Sequence, residues 1–260
     1  MQSKNAFIIS LIILTIVLLS QNCFAQDGAD RFLYWLKEDP VNIFTDFGSA
    51  QMLKVASVGV SLSVIAIEDD ISSRHFQNKY GQSEFLHFTN LWGDWKIAGA
   101  ASAGIFASSL VTNNRKFQDA AFTSLQSLLM TKLTVNTAKF IFGRERPYQE
   151  DGPYDFDFVQ PGGTSFPSGH TATAFALVTP WMVYYPGPIT YALMVVPIGT
   201  AVARVAKGRH WFSDVTAGAA IGFSMGHYLA KKHLSLQTDR VQVIPTAGYD
   251  NFSLTLNISF

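Results

Sequence analysis

The sequence predicts an all-α fold: an antiparallel bundle of about six apolar helices, followed by a short C-terminal β-hairpin. Three observations carry that expectation. Apolar segments recur at 48–67, 97–112, 119–138, 171–186, 187–203 and 215–230, each of helical length and rich in Ala, Leu, Ile and Met. The run YYPGP at 184–188 is a tight turn between two of them, because Pro and Gly break helices. Residues 252–260, FSLTLNISF, alternate apolar and polar at every position, the period of a strand with one buried face.

The composition agrees. Of 260 residues 48% are hydrophobic and 15% charged, with a formal net charge of zero. The length suits one domain, or two at most. Balanced charge gives no basis for a nucleic-acid partner. No repeat or low-complexity tract is present.

Taken in order, residues 1–25 have the layout of a secretory signal peptide: Lys4, an apolar run from Ala6 to Leu19, and a small residue at Ala25. An uncleaved membrane anchor is the alternative. The single cysteine, Cys23, lies inside this segment, so cleavage after Ala25 leaves no thiol for a disulfide or a metal site. Residues 26–47 are polar and partly amphipathic. The main domain is expected over 48–235. Several of its apolar segments are barely long enough to cross a hydrocarbon core, which takes about 20 residues. The 119–138 stretch, DAAFTSLQSLLMTKLTVNTA, is too polar to face lipid and fits a helix buried among others. Segments 171–186 and 187–203 form an antiparallel pair across YYPGP. Residues 147–166, rich in Gly, Pro and Asp, form a long loop. The hairpin is expected over 241–260, with VQVIP pairing FSLTLNISF across TAGYDN; a lone hairpin is marginal, so it must dock on something.

Polar chemistry gathers at three helix ends. In KFIFGRERP, Lys139 closes an apolar helix and Arg146 follows just before Pro147, so two cations can converge on one anion. In FPSGHTATAF, Ser168 is the expected N-cap of a helix, Gly169 permits close backbone approach, and His170 lies in the first turn. Free N–H groups at such an N-terminus bind anions. In RVAKGRHWFSD, His210 and Asp214 are one helical turn apart; a carboxylate on one ring nitrogen fixes the tautomer and frees the other lone pair to act as nucleophile or base. Singly, each has an ordinary reading: basic residues flank helix C-termini, serines cap helices, and His–Asp pairs sit on surfaces.

Together the segments read K-x6-R-P, P-S-G-H and R-x5-H-x3-D, ten specified positions in order. This pattern, with the chain from about 95 to 230 around it, resembles the three-part signature of the type 2 phosphatidic acid phosphatase (PAP2) superfamily. That superfamily includes lipid phosphatases, bacterial non-specific acid phosphatases and vanadium haloperoxidases. The resemblance implies that Lys139, Arg146 and Arg204 hold phosphate oxygens, with Ser168 and Gly169 adding hydrogen bonds. It implies that His210 attacks phosphorus, Asp214 orients it, and His170 protonates the leaving alcohol, with no metal and no cofactor. One departure is visible: Ala203 stands where the family usually has Ser before the arginine, which removes one hydroxyl contact. His75, His87, His227 and His233 have no matching partners and are read as structural or exposed; Glu150, Asp151, Asp155 and Asp157 are read as a solvated acidic loop.

The resulting expectation is a cell-envelope phosphatase acting on a phosphorylated lipid or a small phosphate ester, associated with membrane lipid, its site facing the periplasm. The alternatives are a soluble periplasmic acid phosphatase and a vanadium-dependent haloperoxidase. Exported residues 26–47 and a site outside together require that the 48–67 segment not cross the membrane, or that the bundle not be fully embedded.

Overall fold

The computed structural model describes residues 27–45, 61, 69, 79, 83–149, 152–159, 164–238, 241–247 and 252–258. The expected signal peptide, nearly all of the 48–67 segment, His75, Glu150 and Asp151 lie outside the described residues. The chain divides into two compact units, Met1–Gly48 and Ser49–Phe260.

In the first unit, α1 spans Asp27–Thr45, with Pro40 inside it. The sequence pattern of this stretch, polar and partly amphipathic, does not mark it as a helix. The Phe32 and Trp35 rings meet edge to face at 5.8 Å, and the Arg31 guanidinium lies 4.1 Å from the Phe32 ring centre.

The second unit is helical over its described core. The short α2, Glu84–Leu91, is capped by Ser83, whose hydroxyl accepts from the Leu86 N–H at 3.4 Å. Helix α3, Trp95–Ser109, is capped by Asp94, which accepts from Lys96 N–H at 2.8 Å. Helix α4, Arg115–Phe142, is capped by Asn114 and ends at Gly143 in the left-handed conformation, φ 54°. There a Cβ would stand 2.0 Å from the Asp157 carbonyl oxygen, so only glycine fits. Helix α5 spans Gly169–Tyr184 and α8 spans Phe212–Thr238.

The 97–112, 119–138, 171–186 and 215–230 segments are therefore α3, α4, α5 and α8, several longer than their apolar cores. The 187–203 segment is instead broken into α6, Pro188–Ala192, and α7, Val195–Ala206. Pro197 explains the break: it has no N–H for the carbonyl of Leu193, and its ring clashes with that carbonyl in a continuous helix. Pro197 is tolerated in the first turn of α7.

Helix α4 packs on α3, α5 and α8. Its polar residues Asp119, Thr123, Ser124, Gln126, Ser127 and Thr131 are buried, as expected of a helix among helices, but its other side is open, with Leu129, Leu133 and Phe140 exposed. Ser124 donates to the Leu177 carbonyl of α5 at 2.8 Å. Thr123 meets His233 Nδ1 of α8 at 2.8 Å, which places that histidine in a structural role. Helices α5 and α8 approach closely because α8 presents glycine: a Cβ at Gly218 would lie 2.4 Å from the Ser168 carbonyl, and at Gly222 2.2 Å from that of Ala172. Such contact brings the N-terminus of α5, with Ser168, against the first turns of α8, with Asp214.

Among the described residues, Pro188–Ala206 is long and apolar enough to cross a membrane by length and composition, at 19 residues and a mean hydropathy of 1.6.

Candidate active site

The three polar segments meet. Gly143 turns the chain out of α4 so that Lys139 and Arg146 both reach the strand of loop leading into α5. Lys139 Nζ donates to the Thr164 carbonyl and, at 3.4 Å, to that of Ser165. Arg146 Nε donates to Thr164 Oγ1 at 3.1 Å. Both cations thus reach Thr164.

Ser168 occupies the N-cap position of α5, but its hydroxyl makes no capping bond. It pairs with Thr171 Oγ1 at 3.0 Å, while its backbone N–H donates to the Asp214 carbonyl at 2.9 Å. The capping role expected from the sequence is therefore not filled by the side chain. Gly169 lies against Lys139: a Cβ there would be 3.9 Å from Lys139 Cε. His170 is seated by the α2–α3 turn, where a Cβ at Gly93 would be 2.9 Å from His170 Cβ.

Arg204 ends α7, buried, with Nη1 donating to Asn90 Oδ1 at 3.3 Å. Ala203 is buried beside Leu86 and Ala206. The missing hydroxyl would sit in that apolar cluster, so its loss is a packing change rather than a lost ligand contact.

His210 precedes α8 rather than lying in it, and Asp214 is in the first turn. His210 Nδ1 stands 3.5 Å from Asp214 Oδ2, close enough for an ion pair but longer than a hydrogen bond; both side chains are buried. That carboxylate oxygen accepts from the Trp211 N–H at 2.9 Å and from Ser165 Oγ. The first bond satisfies a donor that the helix start would otherwise orphan. Oδ1 accepts from Arg144 Nη1 at 2.7 Å.

The electrostatics follow from burial and crowding of like charge. Burial, then repulsion from Arg146, lowers Lys139 to about 7. Burial and Arg204 lower His170 to about 4, against a raising pull from Asp94. Burial lowers His210 to about 3, although Asp214 pulls the other way. Burial alone would raise the Asp214 carboxyl; the His210 contact and the Arg144 charge outweigh it and hold it below its ordinary value. Among the described residues no three His, Cys, Asp or Glu side chains gather as they would around a metal ion.

Sequence reasoning missed Arg144, Asp69, Asn90 and Ser165. Arg144 was in view, two residues before Arg146, but nothing in KFIFGRERP marks one arginine for the interior and the other for the site. The acidic-loop residues Asp155 and Asp157 are exposed, and His87 is exposed beside Lys207 Nζ at 3.2 Å.

The PAP2 superfamily model matches residues 120–236. Residues 120–236, less than half of the chain, are similar to the PAP2 superfamily. All three motif segments fall within this PAP2 region. A lipid A 1-phosphatase of Porphyromonas gingivalis is 40% identical over 95 residues, which are 35% of this chain and 19% of that protein. A PA-phosphatase related-family protein of Dictyostelium discoideum is 30% identical over 155 residues, 50% of this chain and 57% of that protein. The chain thus spans a fifth to just over half of the length of these curated relatives. The crystal structure of a transmembrane PAP2 type phosphatidylglycerolphosphate phosphatase from Bacillus subtilis superposes with a TM-score of 0.50 at 16% identity, covering 70% of this chain and 96% of that one. Aquifex aeolicus LpxE superposes with a TM-score of 0.47 at 24% identity, covering 61% of this chain and 92% of that one. The Bacillus structure shows the PAP2 helical fold for this chain.

Proposed function

We propose that this protein is a metal-independent phosphatase of the cell envelope that hydrolyses phosphomonoesters or diphosphates, preferentially those of lipids, through a phosphohistidine at His210. The observation that carries the reading is the convergence of Lys139 and Arg146 at the α5 entrance, beside a His210 backed by a buried, ionised Asp214.

Lys139, Arg146 and Arg204 hold the phosphate oxygens and neutralise charge in the transition state, with Gly169 donating from the helix start and Ser168, whose N–H is held by the Asp214 carbonyl, fixing that start in place. The His210 Nε2 lone pair attacks phosphorus. The bond from phosphorus to the alcohol oxygen breaks, its electron pair goes to oxygen, and His170 protonates that oxygen. Water then attacks the phosphohistidine. The P–N electron pair returns to His210, His170 takes the proton from water, and inorganic phosphate leaves. His170 and Lys139 have low proton affinity for the same reason, burial among cations. An anion reverses that repulsion, so substrate and protons enter together.

A lipid substrate is supported by the Porphyromonas relative, a lipid A 1-phosphatase. Membrane association is supported by Pro188–Ala206 and by apolar side chains left exposed, among them Ile189, Val195, Ile198 and Leu133. A site at the helix ends keeps its cations at an aqueous boundary; the signal-peptide layout of residues 1–25 supports a periplasmic side for that boundary. The C-terminal hairpin belongs to the same proposal: its alternation and an antiparallel backbone register, Val241 opposite Ile258, support it.

Phosphate release from a panel of lipid and soluble phosphates tests the reading. Turnover should persist in EDTA and stop with orthovanadate, which mimics the five-coordinate transition state. Activity that disappears in EDTA and returns with a divalent ion overturns it. A cysteine placed at Tyr154 should react with a membrane-impermeant reagent once the outer membrane is permeabilised; labelling only after the inner membrane is broken refutes the orientation.

A further inference from the structure

Among the described residues, a densely hydrogen-bonded polar cluster lies on the Oδ1 side of Asp214. At its centre is Arg144, 1% exposed. Its Nη1 donates to Asp214 Oδ1 at 2.7 Å and to Ser213 Oγ at 2.6 Å. Its Nη2 donates to Asp69 Oδ2 at 2.9 Å and to the Pro153 carbonyl, and Nε donates to that carbonyl at 2.8 Å. All five guanidinium N–H donors are thereby engaged. Asp69 is equally committed: Oδ1 accepts from the Ser213 N–H at 2.8 Å, and Oδ2 accepts from Ser213 Oγ. The Phe156 and Trp211 rings flank the guanidinium at 5.2 and 5.6 Å.

We propose that Asp69 and Arg144 are positioning residues for the nucleophile: Asp69 locks Arg144 and the first turn of α8, and Arg144 locks the Asp214 carboxylate against His210. The inference rests on the phosphohistidine reading above. It reaches beyond the matched PAP2 region, because Asp69 lies outside residues 120–236.

Stability alone does not account for such a cluster. Removing two carboxylates and a guanidinium from water is costly, and an apolar set of similar volume is commonly as stable or more so. What the ions supply is directional: a fork with fixed geometry, gripping Asp214 from the side opposite His210. Asp214 has to be held, because its own contact to His210 is long. A carboxylate free to rotate would move Oδ2 off the imidazole.

The test uses the full chain with Asp69→Asn, Arg144→Gln and the double variant, the last removing both charges so that neither is left uncompensated. His210 is faced by Asp214 from α8, Arg204 from α7 and Lys139 from α4. Losing Arg144 leaves the full Asp214 charge on the ring and favours its protonated form. The acid limb of the kcat/KM profile should therefore move to higher pH. Losing the Asp69 charge turns Arg144 wholly onto Asp214, and the limb should move to lower pH. In both single variants kcat should fall about 10- to 100-fold with KM nearly unchanged, the usual effect of a lost orienting contact. Equal displacement of the limb in both variants, no displacement, or loss only in proportion to a lowered melting temperature overturns the proposal. The His210 ring ¹⁵N titration followed by NMR supplies a readout without turnover: the two single variants should shift it in opposite directions. If wild type hydrolyses no phosphate ester, the phosphatase reading fails, while this titration still decides the positioning roles.

Discussion

The position of Lys139 makes the affinity for a dianion depend on pH in a calculable way. Burial and Arg146 hold its ammonium at about 7 in the unliganded protein. A dianion between Lys139, Arg146 and Arg204 favours the charged form, so the value rises on binding. Affinity is therefore full below about pH 7 and falls as pH rises, until the liganded value is passed. One pH unit above an unliganded value of about 7, roughly nine-tenths of the lysine is neutral, and binding is weakened about tenfold. Sulfate is the probe of choice because its own charge is constant over this range, unlike that of phosphate. Isothermal titration from about pH 6 to about pH 8.5 in buffers of different ionisation enthalpy reads both affinity and proton uptake. His170→Ala removes the other group whose proton affinity an anion raises, so the comparison is made in that background. There Lys139→Arg should bind with a flat profile, since guanidinium does not titrate here. Lys139→Gln should bind more weakly, also flat. A flat profile with Lys139 intact, or a slope that survives in Lys139→Arg with His170→Ala, refutes the reasoning.

Other consequences are as direct. His210→Ala should abolish turnover and leave no phosphoenzyme label on rapid acid quench, whereas Asp214→Asn should retain a residue of activity about 10³-fold or more below wild type; a persisting label in His210→Ala removes His210 as nucleophile. His170→Ala should slow alkyl phosphates about 100-fold more than an activated aryl phosphate, which departs without a proton; equal losses on the two substrates argue against a general acid. Ala203→Ser should lower stability by about 1 kcal/mol in thermal melts without improving KM, because the hydroxyl enters the Leu86–Ala206 cluster rather than the phosphate site; a lower KM would return the position to the ligand.

What could be read beforehand, and what could not, divides by range along the chain. The bundle was legible because long apolar segments need helices, and the site because each motif is local to one helix end. The α6–α7 break was not, since Pro197 was counted within an apolar run and not weighed against the carbonyl of Leu193. Helix α2 is only eight residues and carries too little periodicity to stand out. Asp69 was illegible for a stronger reason. Its partners Arg144 and Ser213 lie 75 and 144 residues further on, and no local pattern announces a carboxylate destined for burial.

The N-terminus of α8 joins these observations. A helix start leaves N–H donors without acceptors and carries partial positive charge. Here the Trp211 N–H goes to Asp214 and the Ser213 N–H to Asp69. The carboxylate that satisfies one of these donors is the one that faces His210. Capping and orientation are therefore a single constraint, and α8 cannot fray at its first turn without releasing Asp214. Gly218 extends the coupling to α5: the close approach it permits puts the Ser168 N–H on the Asp214 carbonyl. His210, Asp214 and the start of α5 are then tied through one backbone unit. On the proposed reading, the cations from α4 and α7 face a geometry that is set in the unliganded protein.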